Sequence, residues 1–400
     1  MTVFQVETAR AVPTEQALLV SVAVGRSSAA DSRDALLELQ QLAESAGYTV
    51  RACVSARRDK PEPRLFVGAG KAEEICAQLK AADAGIVLFD VALTPAQQRN
   101  LEQALKVPVL DRSTLILDIF ARRAKSREGK LQVELAQLEH LSTRLVRGWT
   151  HLERQRGGLS KTGGPGEKQI ELDRRMIASR VKLLRDRLKT LAKQRHTQRR
   201  SRARRDVFSV SLVGYTNAGK STLFNALTRA GTYAADQLFA TLDTTSRRCF
   251  VAPNVEVVLS DTVGFIRGLP HQLVEAFKST LEETVEADLL LHVVDAAAPA
   301  REAQIEEVQR VLDGIGAGDV PQLMVYNKID LLDRAAEVVE GAHVTIPRVF
   351  ASAATGKGID GLREAIAQQA RLARSQVGAT EHERFEPEFD PRTAPSSISL

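Results

Sequence analysis

Short apolar runs alternate with helical stretches over residues 17–125. The runs ALLVSVAVG, YTVRACVSA, GIVLFD and VPVLD are almost continuously apolar, as is typical of strands that a parallel sheet buries on both faces. The stretches that begin at Asp31, Ala69, Thr94 and Arg112 look helical. The pattern predicts an N-terminal α/β domain over residues 1–125, with a small, mostly parallel sheet covered by helices.

From about Ser126 the apolar residues recur at spacings of three, four and seven, on both sides of a glycine-rich break. This pattern predicts a two-helix antiparallel coiled-coil hairpin over residues 126–205, whose tip is the break RGGLSKTGGPGEK. Glycine at this density lets the backbone approach another surface closely, so the tip is interpreted as a contact element. The apolar positions are Leu131, Leu135, Leu138, Leu141, Leu145 and Leu152, followed by Ile170, Ile177, Val181, Leu184, Leu188 and Leu191.

After Asp206 the alternation of strands and helices returns and continues to about Ala373. It predicts a second α/β domain over residues 206–374, with a Rossmann-like order of strands and helices. The last residues, 375–400, are rich in Pro, Ser and acidic side chains, which is typical of a short mobile tail or a small appended element.

Positive charge is concentrated in the second arm of the predicted hairpin. The 400-residue chain carries a formal net charge of +5, but Arg174–Arg205 alone carries +13 and the remainder −8. Together with the glycine-rich tip, this basic stripe favours contact with nucleic acid over an ordinary solvated helix face. The only aromatic residue here is Trp149, which is expected to pack between the arms, so the expected target is structured RNA recognised by shape and phosphates. The candidate RNA contacts are Gly157, Gly158, Lys161, Gly163, Gly164, Lys168, Arg174 and Arg175.

The composition excludes several classes of protein. The three cysteines, Cys53, Cys76 and Cys249, lie far apart and outside any CxxC pair, so neither a disulfide framework nor a structural zinc site is predicted. No apolar run reaches the ~18–20 residues of a membrane span, and the first residues lack the layout of a secretory signal. A cytosolic location is therefore expected.

A phosphate-binding motif stands between an apolar strand and a helical pattern, in the segment VFSVSLVGYTNAGKSTLFNAL. The loop's backbone N–H groups would hold the phosphates, Lys220 would reach the β and γ oxygens, and Ser221 would bind Mg²⁺. The candidate nucleotide contacts in this loop are Gly214, Tyr215, Thr216, Asn217, Ala218, Gly219, Lys220, Ser221 and Thr222.

Two further motifs complete the phosphate end of the predicted site. VEVVLSDTVG places Asp261 at the end of a strand, where it would hold Mg²⁺, and Gly264 three residues later, whose N–H would bind the γ-phosphate. The segment FATLDTTS should supply a threonine to Mg²⁺ and the γ-phosphate, with Thr241 preferred and Thr244 and Thr245 as alternatives. Lys220, Thr241 and Gly264 are the candidate catalytic residues; Ser221, Thr241 and Asp261 are the candidate metal ligands.

The segment LMVYNKID selects the base. The Asp330 carboxylate can accept hydrogen bonds from the ring N–H and amino group of guanine, whereas adenine presents an acceptor there, so GTP is favoured over ATP. Lys328 would lie along the base, and Asn327 would tie this loop to the phosphate loop. After the next strand, RVFASAATGKG offers Ser352 and Ala353, whose backbone N–H can donate to the guanine carbonyl.

Two deviations from simple nucleotide-binding patterns affect the predicted mechanism. Phe265 follows Gly264 where many GTPases carry the glutamine that orients the attacking water, so slow intrinsic hydrolysis is expected. The missing function must come from another group, a reoriented water or a partner that completes the site, and the predicted hairpin suggests RNA as that partner. The segment FVGAGK at residues 66–71 lacks the full loop length and a Ser or Thr after Lys71, which favours a tight turn at the start of a helix.

The chain resembles HflX-type ribosome-binding GTPases over roughly residues 10–375. The segments that carry the resemblance are GYTNAGKSTLFNALT, FATLDTT, DTVGFIRGLP, NKID, RLFVGAGKAEEI and GGLSKTGGPGEKQIELDRR. The resemblance implies GTP-dependent association with the large ribosomal subunit, where the hairpin tip meets ribosomal RNA near the peptidyl-transferase centre. It also implies splitting or rescue of stalled ribosomes, stimulation of GTP hydrolysis by ribosomes, and a hydrophobic residue at the position of Phe265.

The predicted function is therefore a Mg²⁺-dependent GTPase that binds the large ribosomal subunit and hydrolyses GTP to GDP and phosphate. One alternative is an RNA-binding ribosome-assembly module that uses GTP as a structural switch. Another is a regulatory GTPase that acts through protein partners. The chain is expected to be monomeric and not to span a membrane.

Overall fold

The N-terminal domain is built on a four-stranded parallel sheet in the order β2-β1-β3-β4. The computed structural model describes residues 15–25, 28–148, 165–203, 207–229, 238–268, 273, 277–339 and 346–383. The elements of this domain are β1 Gln16–Val24, α1 Ala29–Ser45, β2 Thr49–Arg58, α2 Ala69–Ala82, β3 Ile86–Phe89, α3 Pro95–Leu105, β4 Val109–Asp111 and α4 Arg112–Arg123.

The first helix begins earlier than the sequence pattern suggested. The Ser28 hydroxyl accepts from the Asp31 N–H at 3.0 Å, and the Asp31 carboxylate accepts from the Ser28 N–H at 2.9 Å. This reciprocal pair is a capping box, so Asp31 is the third residue of the helix and Ser28 its cap. The capping hydrogen bonds therefore start the helix at Ala29, two residues before the start that the sequence pattern indicated.

Two long helices follow, α5 Arg127–Gly148 and α6 Pro165–Ala203, and they pack along each other. Leu135 on α5 and Leu184 on α6 are buried in the predicted seam. Ion pairs at 2.6 Å between Arg180 and Glu134, and at 2.8 Å between Arg185 and Glu139, flank it. The predicted two-helix element is confirmed; its tip and Trp149 lie outside the described residues.

One predicted seam position is wrong. Leu141 is 40% exposed, because the seven-residue repeat that runs through Leu135, Leu138 and Leu145 passes through Ser142 and places Leu141 one position off the buried face.

The third module contains a seven-stranded sheet in the order β10-β11-β9-β8-β5-β7-β6. Its strands are parallel except at the two edges, where β10 and β6 pair antiparallel. The elements are β5 Phe208–Gly214, α7 Lys220–Thr228, β6 Thr245–Ala252, β7 Val255–Asp261, α8 Lys278–Val285, β8 Leu289–Asp295, α9 Arg301–Ile315, β9 Gln322–Asn327, a 3₁₀ turn Ile329–Leu331, β10 Glu337–Val339, β11 Arg348–Phe350 and α10 Ile359–Glu383.

The α/β fold class with a P-loop domain is thus confirmed, with one difference at the C-terminal end. Helix α10 continues past residue 374, where the tail was predicted to begin, and reaches Glu383. The residues described here contain no helix long and apolar enough to cross a bilayer.

A continuous apolar core joins the N-terminal domain to the third module. Phe120 of α4 contacts Phe239 and Phe277 edge to face, with ring centroids 4.6 and 5.1 Å apart. All three rings belong to one buried cluster that also includes side chains of α1 and α5. Because burial of apolar surface dominates folding free energy, this cluster holds the two modules together.

Replacement of Asp118 with Asn is expected to stabilise the protein at neutral pH. Burial raises the pKa of the Asp118 carboxyl to about 6, partly opposed by Arg122. The folded state therefore disfavours the ionised form, and the penalty grows between pH ~3.8 and ~6 and stays constant above. Urea unfolding should show about 1–2 kcal/mol of added stability at pH 7.5 and none near pH 3.5. The same change at exposed Asp319 is the control; equal gains in both variants would contradict the assignment to burial.

Candidate nucleotide-binding site

The phosphate loop connects the carboxyl end of β5 to the first residue of α7. Gly219 has φ +91°, and a Cβ there would lie 2.2 Å from the Asn327 side-chain nitrogen, so glycine is required by both conformation and space. The backbone N–H groups at the start of α7 face the loop, which is the arrangement that binds phosphate at a helix N-terminus.

Lys220 is buried under this loop. Its ammonium donates to the carbonyl oxygens of Gly214 at 3.1 Å and Tyr215 at 2.8 Å. Desolvation lowers the pKa of Lys220 to about 8, against the opposing effect of Asp261. A buried cation whose hydrogen bonds go to backbone carbonyl groups gains stability when an anion binds beside it, so this side chain is suited to phosphate.

Three oxygen-bearing side chains converge beside Lys220. The Ser221 hydroxyl donates to the Asp261 carboxylate at 2.7 Å and lies 2.7 Å from the Thr241 hydroxyl, which itself donates to Asp261 at 3.0 Å. Burial raises the pKa of Asp261, while these hydrogen bonds and Lys220 lower it. The second carboxylate oxygen, Oδ1, is buried without a hydrogen-bond partner. An orphaned carboxylate oxygen beside two hydroxyl groups fits the oxygen ligands that Mg²⁺ prefers.

The geometry distinguishes among the three candidate threonines. Thr241 is the one whose hydroxyl meets Ser221 and Asp261. The Thr244 hydroxyl is buried elsewhere without a partner. Thr245 pairs with Asp261 in the β6–β7 ladder as the first residue of its strand.

The segment after Asp261 is pinned to the phosphate loop through its backbone. The Thr216 N–H donates to the Phe265 carbonyl at 2.7 Å, and the Phe265 N–H donates to the Gly214 carbonyl at 3.1 Å. A Cβ on Gly264 would lie 3.0 Å from the Lys220 ammonium, so this glycine borders the same pocket. The Phe265 ring itself is fully buried in the core shared by the two modules. It therefore has no means of orienting a water molecule.

The residues predicted to recognise the base meet at the carboxyl ends of β9 and β11. The Asn327 side chain donates to the Ala218 carbonyl at 2.9 Å and accepts from the Ala353 N–H at 2.9 Å. The Ser352 hydroxyl donates to Asp330 at 2.5 Å. Asn327 thereby fixes the phosphate loop against both base-recognition loops.

Lys328 has an ion-pair partner that the sequence reasoning missed. Its ammonium lies 2.8 Å from the Asp295 carboxylate at the end of β8. The signal was present, because Asp295 ends an apolar strand just as Asp261 does. The pair holds the Lys328 side chain at the edge of the base-recognition loops.

The Tyr215 side chain contacts the N-terminal domain. Its hydroxyl donates to Glu38 of α1 and accepts from the Arg267 N–H at 2.8 Å. Arg112 of α4 pairs with Glu38 at 2.7 Å and donates to the Arg267 carbonyl at 2.8 Å. Burial, followed by the charge of Glu38, raises the pKa of the Tyr215 phenol. Sequence reasoning assigned Tyr215 to the nucleotide and missed Glu38 and Arg112.

The structure describes some of the remaining predicted site residues and not others. Thr216 is buried with its hydroxyl unpartnered, and Thr222 is half-buried on α7. Arg174 and Arg175 are exposed on α6, where Arg175 pairs with Glu171 at 2.5 Å. The candidate RNA contacts Gly157, Gly158, Lys161, Gly163 and Gly164 lie outside the described residues, as does the side chain of Lys168.

The FVGAGK segment forms a turn at the start of a helix. Gly68 has φ +82° and caps α2, and Lys71 pairs with Glu74 at 2.9 Å on the exposed side of that helix. This geometry places the Lys71 ammonium beside a carboxylate on its own helix.

Comparison with known proteins gives matches to three families in sequence order. Residues 33–121 match the family described as GTP-binding GTPase N-terminal, residues 123–202 match GTP-binding GTPase Middle Region, and residues 209–328 match 50S ribosome-binding GTPase. Together these matches cover the N-terminal domain from residue 33, the two long helices, and the phosphate-loop module as far as residue 328.

Individual relatives agree with these matches. The chain is 54% identical to GTPase HflX of Escherichia coli (strain K12) over 89% of this chain and 83% of that protein. It is 49% identical to GTPase HflX of Magnetococcus marinus over 81% of this chain and 75% of that protein. A solved structure of SsGBP in complex with GDP is similar with a TM-score of 0.50 and 25% identity, covering 90% of this chain and 99% of that one.

Proposed function

Since the chain belongs to the HflX family of GTPases, we propose that it couples GTP hydrolysis to binding of the large ribosomal subunit and splits or rescues stalled ribosomes. That it hydrolyses GTP follows from the family; the ribosomal task is the proposal. The observation that carries it is a formed nucleotide site whose water-orienting position holds the buried Phe265, in the same chain as an exposed basic helix.

Each end of the site has a defined role in the proposal. Lys220 and the N–H groups of the phosphate loop hold the triphosphate, and the N–H of Gly264 binds the γ-phosphate. Ser221, Thr241 and Asp261 would hold Mg²⁺, which when bound neutralises the charge that develops on the transferring phosphoryl group. Asp330 accepts from the guanine ring N–H and amino group, and the N–H groups at Ser352 and Ala353 donate to its carbonyl. The triphosphate is thereby oriented for attack by water.

In the proposal, hydrolysis depends on the ribosome because a partner completes the site. The Phe265 ring packs into the interdomain core, so position 265 supplies no amide side chain to a water molecule beside the γ-phosphate. A group that orients the attacking water contributes to the rate, and its supply in trans converts a slow hydrolase into a switch. In the proposal, binding to ribosomal RNA supplies or reorganises that group.

The basic second arm is the proposed RNA-facing surface. Between Arg174 and Lys193 most side chains of α6 are exposed, and the buried ones form a narrow seam against α5. The Arg174–Arg205 segment carries a net charge of +13, which matches a phosphate backbone. The hairpin tip and its glycines would approach the RNA most closely.

GTP turnover with and without purified large subunits tests the proposal. We expect slow basal hydrolysis and an acceleration of roughly 10-fold or more by the subunits, since a completed catalytic group is worth at least that factor. Phosphate release would be measured at several salt concentrations. Unchanged turnover with saturating subunits would refute the ribosomal role and favour the structural-switch alternative.

Neutralisation of Arg174 and Arg175 to Gln is expected to weaken binding to the large subunit and reduce its salt dependence. Each lost phosphate contact lowers the slope of log affinity against log salt by about 1. The matched control is the pair Arg51→Gln and Arg57→Gln on exposed positions of β2, which removes the same charge. Cosedimentation would measure both; equal losses in the two variants would show that net charge, and not the helix surface, is responsible.

A further inference from the structure

A short segment connects the nucleotide site to the base of the two-helix element. We call residues 238–243 the switch segment. Thr241 reaches Ser221 and Asp261 at the nucleotide site. Two residues later, Asp243 contacts the start of α5. Because two residues span at most about 7 Å, the two contacts are mechanically close.

The Asp243 carboxylate caps α5 from a distance of more than 100 residues in sequence. It accepts from the N–H groups of Lys125 at 2.9 Å and Ser126 at 2.8 Å, and from the Ser126 hydroxyl at 2.5 Å. The same hydroxyl accepts from the Gly129 N–H at 2.8 Å. A carboxylate near the unpaired N–H groups of a helix start is favoured by hydrogen bonding and by the helix dipole.

Close approach at this contact depends on a glycine. A Cβ on Gly129 would lie 2.2 Å from Oδ1 of Asp243. Any side chain at position 129 would therefore displace the carboxylate. Helix interiors favour alanine over glycine, so the glycine in the first turn of α5 has a steric explanation here.

The rest of the switch segment is anchored in the interdomain core. Phe239 is buried against Phe120 of α4, and Leu242 is buried in the same cluster as Val133 and Ala136 of α5. Since Leu242 lies between Thr241 and Asp243, a shift of the Thr241 backbone moves a side chain packed in the core near α5. Because its apolar side chains are packed in the core, the switch segment has little freedom to move Thr241 without also moving Asp243.

We infer that Asp243 is a positioning residue that couples the state of the nucleotide to the base of the two-helix element. When Thr241 engages Mg²⁺ and the γ-phosphate, the switch segment places the Asp243 carboxylate on the α5 start; loss of the γ-phosphate loosens that cap. Coupling of two binding events is reciprocal, so docking of the helices on their target favours the Thr241 position that GTP requires. This inference rests on the proposed role of Thr241.

Hydrogen exchange of the full chain, with Mg²⁺ and either GDP or a non-hydrolysable GTP analogue, tests the inference without ribosomes. The amides of residues 124–132 should exchange more slowly with the analogue than with GDP, by roughly 2- to 30-fold, the range that a cap contact changes a helix-end equilibrium. In Asp243→Ala this difference should disappear, while the phosphate loop stays protected by both nucleotides.

Two further variants separate coupling from general destabilisation. Gly129→Ala should raise the helix propensity of α5 and still abolish the nucleotide dependence, because its Cβ excludes the carboxylate. Asp288→Asn is the matched control: Asp288 accepts from the N–H and hydroxyl of Ser209, both at 2.7 Å, far along the chain from the switch segment. It should behave as the wild type does.

The outcomes distinguish the inference from the proposed function. If the switch segment responds to the analogue and residues 124–132 do not, or if their response persists in both Asp243→Ala and Gly129→Ala, the coupling is overturned and the nucleotide assignments stand. If the switch segment itself does not respond, the role of Thr241 and the coupling are both refuted. Ribosome-stimulated turnover plays no part in the readout, so its absence would leave the coupling intact.

Discussion

Substitution of Asp330 with Asn should lower the affinity for GTP by roughly 10²- to 10⁴-fold and raise that for xanthosine triphosphate. The carboxylate is expected to accept two hydrogen bonds from guanine, and hydrogen bonds to charged groups are worth about 1.5–3 kcal/mol each. The asparagine side chain would place its –NH2 donor against the guanine amino group, which is also a donor. Xanthine carries an oxygen at that position, which the amide can satisfy. The structure holds the side chain in place through the Ser352 hydroxyl at 2.5 Å.

Competition with a fluorescent nucleotide would measure both affinities. Asp333→Asn is the control, because Asp333 is an exposed carboxylate three residues along the same loop. Retention of guanine preference in Asp330→Asn, with normal binding otherwise, would disprove the base-recognition role given to this residue.

Truncation of Phe120 to Ala is expected to cost about 3–5 kcal/mol of unfolding free energy, the range for a buried phenylalanine. Phe120 is 1% exposed and contacts Phe239 and Phe277 edge to face. Since these rings lie on both sides of the interdomain core, the loss should also reduce cooperativity. Denaturant unfolding should be followed with one spectroscopic label in the N-terminal domain and another in the third module. The two labels should then report two separate unfolding transitions.

Phe250→Ala provides the control for that experiment. Phe250 lies on edge strand β6 and is 66% exposed, so its truncation should change stability by less than about 0.5 kcal/mol. A Phe120→Ala protein that unfolds in one transition with wild-type stability would show that the core does not join the modules.

The sequence predicted those parts of the structure that depend on neighbouring residues in the chain. The phosphate loop, Asp261 and Asn327 each follow an apolar strand, and the carboxyl ends of parallel strands meet at one edge of a sheet, so the motif order fixed their neighbourhood. The end of α10 was missed because composition suggested a tail, whereas helical hydrogen bonding continues to Glu383.

The contacts between modules were not predictable in the same way. A helical period can indicate that Leu39 and Leu42 of α1 are buried, but it does not identify the side chains that pack against them. Asp243 lies in the segment FATLDTTS, which was interpreted only for its threonines. Its partner Ser126 is 117 residues away in the chain. Pairings at such separations depend on how whole domains dock, which no local pattern records.

The anchoring of α5 makes it a lever. Besides its contact with Asp243 at the base, α5 is fixed farther along by Arg144, which pairs at 2.8 Å with the buried Asp111 of the N-terminal domain. The helix is therefore tied to the N-terminal domain through Arg144 and to the third module through Asp243. Over its 22 residues, about 33 Å at 1.5 Å per residue, a rotation of about 10° at the base displaces the far end by roughly 6 Å. If Asp243 couples the nucleotide to α5 as proposed, a small rotation at the base of the helix would be enlarged at its far end to the size of a nucleotide.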